Sequence, residues 1–184
     1  MTVSTGMYEE RVMLSNLLIF CVMFAGCIVF GSIFAPAVIV WAIAHLLRLN
    51  SIAELNLVLF VVALGGTVDN ILMHSGFIQF NSHSDMAHQT SVIPIWSWMI
   101  WLGFGLTLNH ALKFLESSIW LQLAFGAIVP PLGYLLGERA GALTFETSTQ
   151  ATLVTFGIIW SVLMPIFFTL KHWILTDRIE NRVV

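Results

Sequence analysis

Residues 13–49 read MLSNLLIFCVMFAGCIVFGSIFAPAVIVWAIAHLLRL, and Arg48 is the one Lys, Arg, Asp or Glu among them. A transmembrane helix needs about 20 apolar residues, and this stretch of 37 is nearly twice that. Gly31-Ser32 and Pro36 lie near its middle. Glycine and proline are tolerated inside membrane helices, but here they fall where two spans would have to reverse. The stretch therefore predicts a tight helical hairpin, with helices over 13–30 and 35–49 and a turn between them.

The rest of the chain is of the same apolar character. Of its 184 residues 58% are apolar and 9% charged, where a soluble globular protein carries roughly 25% charge. Further apolar runs predict helices over 52–73, 94–114, 118–137 and 151–173. The expected fold class is all-α: a polytopic membrane protein, a bundle of six transmembrane helices in a single domain over 1–184, with no soluble domain. The polar stretch 75–90, rich in Asn, Ser, His and Gln, is expected to be an aqueous outer loop, because lipid does not accept exposed irregular backbone. The N-terminal ten residues are polar and acidic, unlike a cleavable signal, so the first helix is expected to be retained.

Charge sets the expected orientation. With the N-terminus inside, Arg11, Arg48, Lys113, Lys171, Arg178 and Arg182 are cytoplasmic and only Arg139 is outside, six to one. Both termini are then cytoplasmic. Trp96 and Trp98 are expected at the outer interface, and Trp120 and Trp173 at the inner one. The 7 basic and 10 acidic residues give a net charge of −3 with no basic stripe, which excludes a nucleic-acid partner. Cys21 and Cys27 are six apart within one span, a spacing that puts them on different helix faces and argues against a disulfide or metal pair.

Residues 98–115, WMIWLGFGLTLNHALKFL, and 126–142, GAIVPPLGYLLGERAGA, together with GGTVDN at 65–70, resemble an uncharacterised family of small bacterial inner-membrane proteins, domain of unknown function 2878. The resemblance implies a fold and a compartment and no assigned activity. It also hints at envelope lipid chemistry, since members look to be encoded beside fatty-acid-modifying enzymes.

Ionisable residues at membrane depth are costly, so each is a functional hypothesis that needs a partner. Asp69 lies near the outer end of the third helix, one turn after Gly65. Tyr134, Glu138 and Arg139 close the fifth helix at the same level, and Arg139 is the natural counter-ion. An Asp69–Arg139 staple and a substrate- or proton-handling site both fit. At the inner end Asn109, His110 and Lys113 form a polar cluster, with His45, Arg48, Lys171 and His172 at the same depth. Haem ligation by His45, His110 or His172 is one reading; snorkelling to headgroups is the more economical one.

His83, Asp85 and His88 in the outer loop offer imidazole and carboxylate, but their spacing matches no closed zinc pattern, and no metal or other cofactor is predicted. Gly133, Gly137 and Gly141 recur at intervals of four, after Gly126, in a small-xxx-small pattern that predicts close packing of the fifth helix within the chain. Pro130-Pro131 should kink it. No nucleophile–base pair or phosphate loop appears. A non-catalytic envelope or membrane-complex component fits best, in contact with membrane lipids and partner membrane proteins. A carrier or binding protein for a small or lipidic ligand and an enzyme of lipid or fatty-acid modification are the alternatives.

Overall fold

The computed structural model describes residues 2–81 and 91–180, with side chains over 10–81 and 91–175. In order, the elements are α1 (Thr2–Phe30), a 3-10 turn (Gly31–Phe34), α2 (Ala35–Leu49), α3 (Ile52–His74), β1 (Ile78–Phe80), α4 (Ile95–Thr107), a second 3-10 turn (Lys113–Ser117), α5 (Ile119–Arg139), β2 (Leu143–Phe145) and α6 (Thr149–Glu180). Four helical stretches are long and apolar enough to cross a membrane: Glu10–Leu49, Ile52–His74, Ile119–Arg139 and Thr149–Leu175. The apolar helix Ile95–Thr107 is shorter.

The first of these stretches folds back on itself. Gly31 has φ +61°, a left-handed conformation that glycine adopts without Cβ strain, and Pro36 opens α2 within its first two positions. Direction is fixed by the neighbour that both arms share. Along α1, Asn16 reaches Leu106 and Phe20 approaches Gly103; along α2, Trp41 approaches Gly103 and His45 meets His110. So α1 runs antiparallel to α4 and α2 parallel to it. Asp69–Ser97 and Glu54–Asn109 make α3 antiparallel to α4, and Gly126–Trp160 with Tyr134–Phe156 does the same for α5 and α6. The helices thus run up and down, with the end of α2, the start of α3, the end of α4 and Lys171 of α6 together at one end.

Two expected boundaries change. Residues 94–114 are not one helix: α4 stops at Thr107, and the chain turns before the second 3-10 segment. No Gly or Pro marks that stop. The Thr107 hydroxyl instead donates to the Phe104 carbonyl at 2.6 Å, while Lys171 Nζ captures the Leu108 carbonyl at 3.0 Å. The stretch 75–90 is not wholly loop either, because β1 pairs antiparallel with β2, Ile78 opposite Phe145 and Phe80 opposite Leu143. This short ribbon ties the α3–α4 connection to the α5–α6 connection and buries Ile78 and Leu143. Trp96, at the ribbon end, is buried and edge-on to Phe80, whereas Trp120 and Trp173 are exposed at the opposite end.

The core is aromatic. Trp101, Phe104, Phe156, Trp160 and Phe167 are all buried, and the Trp101 and Trp160 rings stack at 5.0 Å between centroids. Gly65 and Gly66 make room for it, since a Cβ at either would strike the ring of Trp101 or Trp98. Outward-facing positions such as Leu18, Val22, Phe60, Ile128, Val154 and Ile158 are exposed and apolar, as a lipid-facing surface requires.

The glycines of α5 do not form one seam. A Cβ at Gly126 would collide with the Trp160 carbonyl of α6, Gly133 faces Phe24 of α1, Gly137 lies against Leu143 of β2, and Gly141 lies beyond the helix at φ +76°.

Candidate functional site

Two buried carboxylates mark the two ends of the bundle. At the ribbon end, Asp69 of α3 is 2% exposed. Its Oδ2 accepts from Ser97 Oγ at 2.9 Å and from Trp101 Nε1 at 2.7 Å, both on α4. Its Oδ1 accepts from Tyr134 Oη of α5. Three helices therefore meet on one side chain, and both oxygens are engaged. Asn70 adds a second tie, accepting from the Ile93 amide at 3.1 Å through Oδ1.

The expected Asp69–Arg139 pair does not form. Arg139 has a side chain 75% exposed, and its ion-pair partner is its neighbour Glu138, at 3.6 Å. The reason is rotational. At about 100° per residue, Tyr134 and Arg139 point roughly 140° apart around α5, so turning one toward α3 turns the other away. Asp69 and Tyr134 are brought together, and Glu138 and Arg139 stay outside that contact.

At the opposite end, Glu54 of α3 is 3% exposed. Asn109 Nδ2 donates to its Oε2 at 2.8 Å, and His110 Nε2 lies 2.9 Å from its Oε1. His45, from α2, meets the His110 ring edge-on with centroids 4.8 Å apart, and its Nε2 is buried without a hydrogen-bond partner. One ligand atom from each of His45, Glu54 and His110 lies within 4.8 Å of the others. Beside this cluster the buried Lys171 pairs with Glu116 at 2.5 Å.

Of the inner residues expected from sequence, Asn109 and His110 enter the cluster, while Lys113 is exposed and stays out. A porphyrin would have to sit between its two ligating imidazoles, and rings in contact at 4.8 Å leave it no room; His172 is exposed elsewhere. His83, Asp85 and His88 lie outside the described residues.

Glu54 is the residue that sequence reasoning missed. Ser51-Ile-Ala-Glu54 has the spacing of a helix capping box, which offers Glu54 a local task. Half of that box is present, the Ser51 Oγ accepting from the Glu54 amide at 3.3 Å. The carboxylate, however, points across to α4. An acidic residue three places into a span, opposite Asn109-His110, was the available signal.

Open surface grooves lie between α5 and α6, around Ala127, Gly157 and Ser161, and beside α3, around Thr67, Asn70 and His74; neither is lined by Asp69 or Glu54. A family model described as "Protein of unknown function (DUF2878)" matches residues 13–166. No curated protein and no solved structure matches the chain.

Proposed function

The chain belongs to the DUF2878 family of proteins of unknown function, and from that premise we propose that it is a non-catalytic, multi-pass component of the bacterial inner membrane. It crosses the membrane six times, the glycine turn at Gly31 dividing the first stretch into two crossings and α4 providing a short one. Both termini are cytoplasmic. In support, Arg48, Lys113 and Lys171 gather at the Glu54 end of the bundle, and Arg139 is at the ribbon end.

One observation carries the non-catalytic reading: the Asp69 carboxylate is engaged by Ser97, Trp101 and Tyr134 and, among the described residues, has no cation beside it. A reacting carboxylate needs a free lone pair facing substrate. Asp69 instead behaves as a tie between α3, α4 and α5, and the chain acts through its surfaces, on lipid and on partner membrane proteins.

The test is complementation of a gene deletion with Asp69→Asn and Tyr134→Phe, with folded protein quantified in parallel. On this reading, function falls only as far as folded protein does, and copurification recovers a membrane partner. A variant that accumulates folded at the parental level yet fails to complement overturns it.

A further inference from the structure

We propose that His45, Glu54 and His110 form a binding site for one divalent first-row transition-metal ion of the Zn2+ class. The two carboxylates of the bundle differ in a way that points to this. Asp69 is closed by three donors, whereas Glu54 has two, Asn109 and His110. Buried charges in proteins are paired or coordinate metals. The buried lysine at this end is taken, because Lys171 holds Glu116 at 2.5 Å and the Leu108 carbonyl at 3.0 Å.

The His45 Nε2 supplies the second, independent observation, a buried imidazole nitrogen with no hydrogen-bond partner in the described structure. A buried imidazole nitrogen that makes no hydrogen bond within the described residues is open to a cation, and His45 stands beside a second imidazole and a buried carboxylate. Two imidazoles and a carboxylate are a donor set suited to zinc and its neighbours.

The geometry is close to what such an ion requires. A tetrahedral ion with bonds near 2 Å spaces its donors about 3.3 Å apart. The three ligand atoms lie within 4.8 Å of one another, so the widest separation closes by roughly 1.5 Å at most. His45 has no hydrogen bond at Nε2 to lose in moving inward. His110 binds as the neutral imidazole through Nε2: an imidazolium releases its Nε2 proton to water, and a neutral ring that carries its proton on Nε2 shifts it to Nδ1, as the metal takes the place of the contact with Glu54 Oε1. Asn109 keeps its hold on Oε2 and orients the carboxylate from behind, the usual office of an outer-shell partner. The His110 side chain is 17% exposed, which leaves an entry path from the basic end. Three protein ligands leave a fourth position for water. The bound ion clips the ends of α2 and α4 to the start of α3.

The experiment uses the full-length chain, purified in detergent with a tag that lacks histidine and stripped with a chelator. Titration with Co2+ should give the visible ligand-field bands of a four-coordinate nitrogen/oxygen site, saturating at one ion per chain, and Zn2+ should bleach them and raise the melting temperature. His45→Ala should abolish the bands while the protein stays folded by circular dichroism. Asn109→Ala should weaken Co2+ binding about 10- to 100-fold. A paired variant, His83→Ala with His88→Ala, should bind like the parent. A folded parent that gives no bands overturns the proposal, as does binding that survives His45→Ala or disappears with the loop variant.

Discussion

Tyr134 donates its hydroxyl to Asp69, joining α5 to α3 through a carboxylate that α4 also holds with Ser97 and Trp101. The same tyrosine ring packs edge-on against Phe156 of α6 at 4.5 Å. One residue thus couples the polar tie to the aromatic core, so changes at this point should be read in stability before they are read in function.

Tyr134→Phe keeps the ring and removes the donor. Asp69 Oδ1 is then left buried without a partner, which costs about 1–3 kcal/mol. Arg139→Gln, at an exposed side chain whose ion-pair partner among the described residues is Glu138, should stay within about 0.5 kcal/mol of the parent. Reversible unfolding in mixed detergent measures both. Equal losses would mean that Arg139 reaches Asp69 after all.

Gly126→Ala should be the most damaging glycine-to-alanine substitution on α5, because its Cβ meets backbone, the Trp160 carbonyl, and backbone cannot rotate away. Overpacking of this kind costs about 1–3 kcal/mol. Gly133→Ala meets the Phe24 ring at 3.4 Å, an ordinary contact, and should be close to neutral or stabilising. Melting temperatures of the two variants decide the order; a tolerated alanine at Gly126 would mean that α5 and α6 sit farther apart.

The proposed orientation has a direct readout. In a background without Cys21 and Cys27, a cysteine at Ser148, before α6, should react with an impermeant maleimide in intact cells, and one at Ser51, between α2 and α3, should react only after lysis. The opposite pattern would invert the protein in the membrane.

The helical class and most element boundaries were legible because an apolar run is a one-dimensional signal, and the reversal at 30–35 was legible because Gly31 and Pro36 punctuate it. The end of α4 was not. Residues 106–115 contain neither Gly nor Pro, and the Leu108 carbonyl freed where the helix stops is taken by Lys171, more than fifty residues downstream. Depth along a helix can be counted from sequence; rotation about its axis cannot when apolar residues surround it on every side. That is why Asp69 could be matched in level to both Tyr134 and Arg139, with charge favouring the wrong one. Glu54 was hidden differently, by a local pattern that already explained it. The ribbon β1–β2 lacked a signal because three-residue strands contacting across 62 residues have almost no periodicity to read.

Lys171 gives the last prediction, and it separates a buried charge from the pair that holds it. Its side chain is 3% exposed, while Glu116, its partner at 2.5 Å, is 43% exposed. Removing the carboxylate with Glu116→Gln leaves a buried ammonium without its counter-ion, beside the Leu108 carbonyl and 5.6 Å from the Phe168 ring centroid, and stranding one member of a buried pair costs about 3–5 kcal/mol at the upper limit. Water reaches Glu116, so the loss should fall below that range. Lys171→Met removes the charge and fills the same space with an unbranched apolar chain, leaving the Leu108 carbonyl to find another donor. In the double variant, Glu116→Gln with Lys171→Met, no ammonium is stranded, so its loss should equal that of Lys171→Met alone rather than the sum of the two. A double-mutant cycle on unfolding free energies reads this directly. Additive losses would show that Lys171 and Glu116 act independently.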